Sequence, residues 1–242
     1  MVLVNQALNL STAIGGWLST SEMEALYALA SDTPTTAAIV ELGAWQGKST
    51  IMLAAGSRAG QRAPVFSVDY FSTIPDTDYV YANHFRECKD YLGVFQQNLT
   101  AAGLSEAVTP IRSKTSEAGR CWNGPQIGLL FIDADHRYQS VRDDFLAWAS
   151  HCTGRASVAF HDYGSIAHPG VRQFVDQLLT SRVLINPRLT DTLLYGELAI
   201  RDPQATRRQL LRHPRWLCNV RTRLSQTRER ASRFFNRFVG QS

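Results

Sequence analysis

Short apolar segments alternate with amphipathic segments along most of the chain. Continuous apolar runs are typical of buried strands, and they predict strands at 38–42, 64–68, 107–111, 127–132 and 157–160. Apolar residues spaced by three or four positions predict helices between them, at 48–57, 83–102, 137–150 and 170–179. Two later runs, at 182–185 and 192–200, predict a closing antiparallel pair. This alternation predicts an α/β fold with a doubly wound, mostly parallel sheet covered by helices on both faces.

A helix is also predicted before the first strand. Ser19 and Glu22 have the spacing of a capping box, in which a hydroxyl and an acid three residues later satisfy the free N–H groups of a helix start. Ser21 and Glu24 have the same spacing, so the first residue of this helix stays open at this stage.

Polar residues follow five successive predicted strands. In a doubly wound sheet, ligands bind beyond the carboxyl ends of the strands, near the point where the strand order reverses. The residues at these ends are Glu41, Gly43, Asp69, Ser113 to Ser116, Asp133, Asp135, His161 and Asp162. This edge of the sheet is therefore the predicted site.

The composition is that of a globular protein, with 44% hydrophobic and 19% charged residues. No apolar run approaches the roughly 18 residues needed to cross a bilayer, and the first residues lack the basic start of a signal peptide. Cys88, Cys121, Cys152 and Cys218 lie far apart, without zinc-site spacing. We therefore expect reduced thiols and a cytoplasmic protein.

The loop after the first predicted strand, residues 41–49, carries glycines at positions 43 and 47. A phosphate-binding P-loop needs four residues between its first glycine and the Gly-Lys-Ser sequence, and this loop has three. A dinucleotide fingerprint needs glycine where Trp45 stands. The acidic-x-Gly-x-x-x-Gly loop of S-adenosylmethionine enzymes matches, and a plain strand–helix turn is the alternative.

Asp69 ends the second predicted strand. A carboxylate at this position accepts hydrogen bonds from the ribose hydroxyls of an adenosine ligand. A helix or turn cap is the alternative. The loop and the acid together favour a nucleoside-type cofactor more strongly than either does alone.

Taken together, the motifs resemble those of class I S-adenosylmethionine-dependent methyltransferases with a Rossmann-like fold. The resemblance is to a bacterial family of small-molecule and sugar O-methyltransferases and covers residues 39–175. Its motifs here are Glu-Leu-Gly-x-x-x-Gly-x-Ser at 41–49, Ile-Asp-x-Asp-His-x-Tyr at 132–138, His-Asp-Tyr at 161–163 and Pro-Gly-Val at 169–171.

The resemblance implies an enzyme that methylates a hydroxyl of a small molecule or glycan. A cofactor-fold protein without catalysis, serving as a binding or assembly module, is the alternative from another class. The cofactor-binding residues that the resemblance implies are Glu41, Gly43, Gly47, Ser49, Asp69 and Asp133. The catalytic candidates are His136, Asp133 and His161.

Related divalent-metal enzymes place one carboxylate after the fourth strand and two oxygen ligands after the fifth. The resemblance thus implies Asp133 and Asp162 as ligands of Mg²⁺. This chain departs from the pattern at His161, and Mg²⁺ is seldom bound by imidazole. Two models stay open: a metal site, or direct binding of acceptor hydroxyls by His161 and Asp162.

His136 lies where similar enzymes keep a basic side chain near the acceptor oxygen. An imidazole with its ordinary pKa of about 6.5 is suited to removing a hydroxyl proton at neutral pH. The alternative is that His136 caps the following helix. Asp135 is expected to orient its neighbours.

An aromatic-rich stretch, residues 70–85, is a candidate lid over a ring-shaped acceptor such as a sugar. Its aromatic residues and histidine are Tyr70, Phe71, Tyr79, Tyr81, His84 and Phe85. Packing under a long loop is the alternative.

The C-terminal segment, residues 201–242, differs from the rest. It has 11 Arg and no Lys, against Asp202 and Glu229, a net charge of +9, whereas residues 1–200 carry −5. Apolar residues recur every three or four positions from 217 to 238, which predicts a basic amphipathic helix. We therefore expect a methyltransferase domain at 1–200 and a helical tail at 201–242. The tail would contact an anionic membrane surface, on the cytoplasmic side, or dock on the body or a second subunit; nucleic acid is the least favoured partner.

Overall fold

The computed structural model describes residues 4–72, 90–200 and 210. In this part of the chain seven strands form one sheet of order β3-β2-β1-β4-β5-β7-β6. The strands are β1 (Ala38–Leu42), β2 (Val65–Asp69), β3 (Val108–Arg112), β4 (Ile127–Ile132), β5 (Cys152–Phe160), β6 (Leu184–Thr190) and β7 (Leu193–Leu198). The first five pair in parallel, and β7 is antiparallel to both of its neighbours. The predicted doubly wound α/β fold is confirmed.

Helices precede β1 and connect each strand to the next as far as β6. They are α1 (Val4–Thr12), α2 (Thr20–Asp32), α3 (Lys48–Ala59), α4 (Tyr91–Ala101), α5 (Thr115–Arg120), α6 (Tyr138–Trp148) and α7 (Pro169–Thr180). The sequence analysis missed α1 and α5. It also began β5 five residues late, because the polar stretch 153–155 hides the first half of that strand.

The capping box before α2 is the one formed by Ser19 and Glu22. The Ser19 hydroxyl accepts from the Glu22 N–H at 3.2 Å, and the Ser19 N–H donates to the Glu22 carboxylate at 2.9 Å. Ser21 and Glu24 therefore do not start the helix. Helix α2 packs on α3, where a Cβ at Gly56 would lie 2.3 Å from the carbonyl oxygen of Tyr27, so glycine permits this close approach.

The register of the sheet brings the predicted site residues together. Leu42 pairs with Ile132, and Ile132 pairs with Phe160, so the next residues (43, 133 and 161) lie side by side at one edge. Strand order reverses between β1 and β4, which makes this edge the switch point where ligands bind in such sheets.

The chain divides into a compact unit, Met1–Pro203, and a second unit, Gln204–Ser242. In the second unit only residue 210 is described, so the predicted tail helix lies outside the described residues. Among the described residues, no helix combines the length and apolar character needed to cross a membrane.

Candidate active site

A cavity of about 670 Å³ opens at the carboxyl ends of β1, β2, β4 and β5. The glycine loop, Asp69 and the polar residues after β4 and β5 line it, as predicted from the strand ends. The segment that leads into α5, residues 113–116, closes one side with the first residues of that helix, and residues 15–18 close another. Its size is that of a small-molecule site.

The glycine loop needs glycine at both predicted positions. Gly43 has a φ of +88°, and a Cβ there would lie 2.2 Å from the carbonyl oxygen of Asp133. Gly47 caps α3 with a φ of +91°, and Trp45 between them has a φ of +42°. The loop thus turns tightly against the end of β4, which sets its backbone directly beside the cavity.

Asp69 holds the glycine loop in place. One carboxylate oxygen accepts from the backbone N–H groups of Ala44 and Trp45, each at 2.9 Å. The other accepts from the Phe71 N–H at 2.7 Å. Three of its roughly four acceptor positions are filled in this way, which leaves about one for a ligand hydroxyl. Asp69 lines the cavity, and its bonds to backbone N–H groups also give it the turn-capping role that the sequence left open as the alternative.

Glu41 lies behind the loop and does not line the cavity. Its buried carboxylate accepts from the hydroxyls of Ser49 and Thr50 on α3, each at 2.5 Å, and of Ser67 on β2 at 2.7 Å. It therefore ties β1 to β2 and to the start of α3. Burial outweighs these three donors and raises the pKa of Glu41 to about 7.

This shift predicts a pH dependence of folding. Between pH 4.5 and 7 the folded protein keeps a proton on Glu41 that the unfolded chain has released, so its contribution to stability is present below pH 4.5 and is lost as the pH rises toward 7. Relative to Glu41→Gln, which cannot titrate, the free energy of unfolding of the wild type should fall by up to about 3 kcal/mol across this range. Urea unfolding at several pH values measures the difference. An equal dependence of the free energy of unfolding on pH in the two proteins would contradict the raised pKa of Glu41.

Two carboxylates and two imidazoles form a cluster where β4 and β5 end. His136 Nε2 lies 2.9 Å from Asp162 Oδ2 and 3.5 Å from Asp133 Oδ1. His161 Nδ1 lies 3.2 Å from Asp133 Oδ1 and 3.3 Å from Asp162 Oδ2. The structure thus brings together all four residues that the sequence analysis named as catalytic or metal-binding, and all four line the cavity.

The charges in this cluster raise the pKa of both histidines above the ordinary value that the sequence suggested for His136. Burial disfavours a charge on His136, but the carboxylates of Asp133 and Asp162 outweigh it and raise the pKa to about 9. The same two carboxylates and Glu22 raise the pKa of the buried His161 far above its usual range. Both rings are therefore mostly protonated at neutral pH in this arrangement, so an ordinary pKa near 6.5 is wrong for His136.

His136 does not cap α6. Arg137 occupies the N-cap position of that helix, without a side-chain capping bond. Asp135 accepts from the Arg137 N–H at 2.9 Å and from the Ser140 hydroxyl at 2.8 Å, so it orients its neighbours as expected.

Two features of the site were not predicted from the sequence: His168, which contacts His136, and the stretch of the cavity wall that precedes α2. His168 stacks on His136, with ring centroids 4.1 Å apart, and its only signal was its place before the Pro-Gly-Val motif. The turn between α1 and α2, which contains Trp17, carried no recognised motif. Trp17 is 55% exposed and stacks on Trp45 at 5.2 Å. Of the predicted acceptor lid, residues 73–85 lie outside the described residues.

Comparison with known proteins identifies the family of the chain. A family model described as "Methyltransferase domain" matches residues 40–163, just over half of the chain. An O-methyltransferase from Bacillus cereus, solved with S-adenosylhomocysteine, is 15% identical with a TM-score of 0.58, over 81% of this chain and 90% of that one. The O-methyltransferase NovP is 18% identical with a TM-score of 0.60, over 75% and 81%.

A third similar structure is the O-methyltransferase TomG of Streptomyces achromogenes, solved with S-adenosylmethionine. It is 16% identical with a TM-score of 0.56, over 81% of this chain and 89% of that one. At these identities the solved structures show the shared fold, and the family model shows the family. The chain belongs to the methyltransferase domain family and is a class I S-adenosylmethionine-dependent methyltransferase.

Proposed function

We propose that this methyltransferase acts on a hydroxyl oxygen of a small molecule or glycan. The observation that carries the proposal is the cluster of Asp133, His136, His161 and Asp162 on the cavity wall, beside the glycine loop. Carboxylates and imidazoles bind hydroxyl groups and accept their protons. NovP and TomG are named as O-methyltransferases, and TomG as part of tomaymycin synthesis, which supports a small-molecule acceptor.

The cofactor would bind against the glycine loop. Gly43 allows close approach of the backbone, Gly47 makes the turn into α3 without lining the cavity, and Asp69 has acceptor capacity left for a ribose hydroxyl. Ser49 lines the cavity at the start of α3, although its hydroxyl donates to Glu41. We propose that Glu41 acts indirectly, by holding the loop, and that Asp133 faces the positively charged sulfonium end of the cofactor.

The reaction breaks the S–CH₃ bond, forms an O–CH₃ bond and requires the hydroxyl proton to leave. We propose that His136, in its neutral form, takes that proton, because it lies on the cavity wall beside Asp162. Asp133 and Asp162 then stabilise the resulting imidazolium. The walls of the cavity align the acceptor oxygen with the methyl group, which in-line displacement demands.

The residues present also fit a divalent cation. Asp133, His161 and Asp162 offer three ligand atoms that all lie within 4.8 Å of one another. A cation held by them would bind the acceptor oxygen and lower the pKa of its hydroxyl. Asp133 and Asp162 would then be the carboxylate ligands that the resemblance implies.

An acceptor screen that follows S-adenosylhomocysteine release tests the proposed function. We expect turnover with hydroxylated acceptors, and its loss in EDTA and in Asp162→Asn. Full activity in EDTA would show that no cation is needed, which leaves His136 alone to activate the acceptor oxygen. Turnover with amines or thiols but no hydroxyl compound would contradict the proposal.

We further propose that the tail, residues 201–242, brings the enzyme to an anionic membrane surface where its acceptor is made or carried. The support is its net charge of +9, since each Arg near such a surface is worth on the order of 1 kcal/mol.

Liposome co-sedimentation of the full chain, compared with a chain truncated after Asp202, tests the tail. We expect binding to vesicles with anionic lipid at low salt, lost on truncation. Equal binding by the truncated chain, or no binding at low salt, rejects the membrane role. Loss of an oligomer on truncation would make the tail a subunit contact instead.

A further inference from the structure

Glu22 contacts the site from a distant part of the chain. It is the third residue of α2 and is 1% exposed. Oε1 accepts from the Thr192 N–H at 2.8 Å and from the Thr192 hydroxyl at 2.7 Å, and Oε2 accepts from the Ser19 N–H. Oε2 also lies 3.4 Å from His161 Nε2. The carboxylate is thus held from two sides and faces one nitrogen of the His161 ring.

The other nitrogen of His161 faces the two aspartates of the cluster. Nδ1 lies 3.2 Å from Asp133 Oδ1 and 3.3 Å from Asp162 Oδ2. Adjacent ligand atoms around a cation with bonds of about 2.1 Å are roughly 3 Å apart in octahedral geometry. The ring is 5% exposed, so its contact with Glu22 fixes which nitrogen points at the cluster.

We propose that Asp133, His161 Nδ1 and Asp162 form a two-oxygen, one-nitrogen site that prefers a first-row transition-metal dication to Mg²⁺, and that Glu22 is the positioning residue of this site. This proposal deepens the proposed function and rests on it only for what the bound cation does in methyl transfer. The binding of the cation itself does not depend on that function. Imidazole suits metals such as Fe²⁺, Ni²⁺ and Zn²⁺, and Co²⁺ lies between Fe²⁺ and Ni²⁺ in affinity, whereas Mg²⁺ prefers oxygen ligands alone.

Glu22 has the geometry of a residue that orients a metal-bound histidine. Such histidines usually donate their other N–H group to a carboxylate or carbonyl, which fixes the ring and strengthens the metal bond. Losing that partner typically lowers metal affinity about 10–100-fold. Glu22→Gln keeps the volume but removes the charge and leaves one acceptor oxygen, which cannot serve Thr192 on one side and Ser19 with His161 on the other.

Metal binding to the full chain, freed of metal by chelation and measured without cofactor or acceptor, tests the proposal. Co²⁺ is followed by its visible absorption, and Mg²⁺ by competition against it. We expect tighter binding of Co²⁺ than of Mg²⁺ and a loss of Co²⁺ affinity of about 10–100-fold in Glu22→Gln. His161→Asp, which makes an all-oxygen site, should shift the preference toward Mg²⁺, and Asp162→Asn should weaken both ions.

Ser19→Ala is the matched control, because it weakens the helix cap but leaves the Ser19 N–H and Glu22 in place. It should lower stability without changing the preference between the two ions. Equal affinity of the wild type for Co²⁺ and Mg²⁺, or unchanged Co²⁺ affinity in Glu22→Gln, would overturn the proposal. Because no methyl transfer is measured, either result is independent of whether the acceptor group is a hydroxyl.

Discussion

Replacing Gly43 with alanine is expected to abolish S-adenosylmethionine binding. The new Cβ would lie 2.2 Å from the carbonyl oxygen of Asp133, and backbone atoms cannot move aside cheaply. The positive φ of +88° adds strain for any residue with a side chain. Together these effects should lower the free energy of unfolding by about 2–5 kcal/mol and displace the loop from the cavity. Calorimetry with millimolar cofactor and urea unfolding measure the two losses.

Gly103→Ala is the matched control for this substitution. Gly103 also has a positive φ, +65°, but a Cβ there meets no atom within 4 Å. In its alanine variant the only cost should be backbone strain, which lowers the free energy of unfolding by about 1–2 kcal/mol. The variant should bind the cofactor like the wild type. Cofactor binding by Gly43→Ala at wild-type affinity would show that the loop is not the binding surface.

His136→Ala is expected to lower kcat by roughly 10²–10⁴-fold, with little change in cofactor affinity. The reason is the position of the ring on the cavity wall, within 2.9 Å of Asp162, where it would receive the acceptor proton. Single-turnover methyl transfer, combined with calorimetry, separates the loss of chemistry from a loss of binding.

His151→Ala serves as the control for His136→Ala. His151 pairs with the carbonyl oxygen of Gly119 and does not line the cavity. It should leave kcat unchanged. A fall of less than tenfold in kcat for His136→Ala would show that His136 is not the proton acceptor.

The sequence predicted the sheet and its functional edge because both follow from local patterns. Buried parallel strands read as apolar runs, and polar residues directly after them mark the carboxyl edge. The positions of Gly43 and Asp133 beside each other then follow from strand register alone. Helix α5 was missed because its six residues are too few to show a helical repeat.

The electrostatics of the site could not be predicted in the same way. The pKa of His161 depends on Glu22, which is 139 positions away in the sequence and meets the ring only in the folded chain. The ordinary pKa assumed for His136 was wrong for the same reason, since Asp162 comes from a different strand end. The motif of the glycine loop did not show that Glu41 faces three hydroxyls rather than the cavity.

Methyl transfer to oxygen from a cofactor bound at the glycine loop can be measured by following the methyl group itself. S-adenosylmethionine labelled with ¹³C in its methyl group is incubated with the full chain and an acceptor that scores in the screen, and the product is examined by NMR. We predict a labelled signal with the chemical shift of an O-methyl group, absent in Gly43→Ala. A labelled N-methyl or S-methyl product, or an O-methyl product formed equally well by Gly43→Ala, would contradict it.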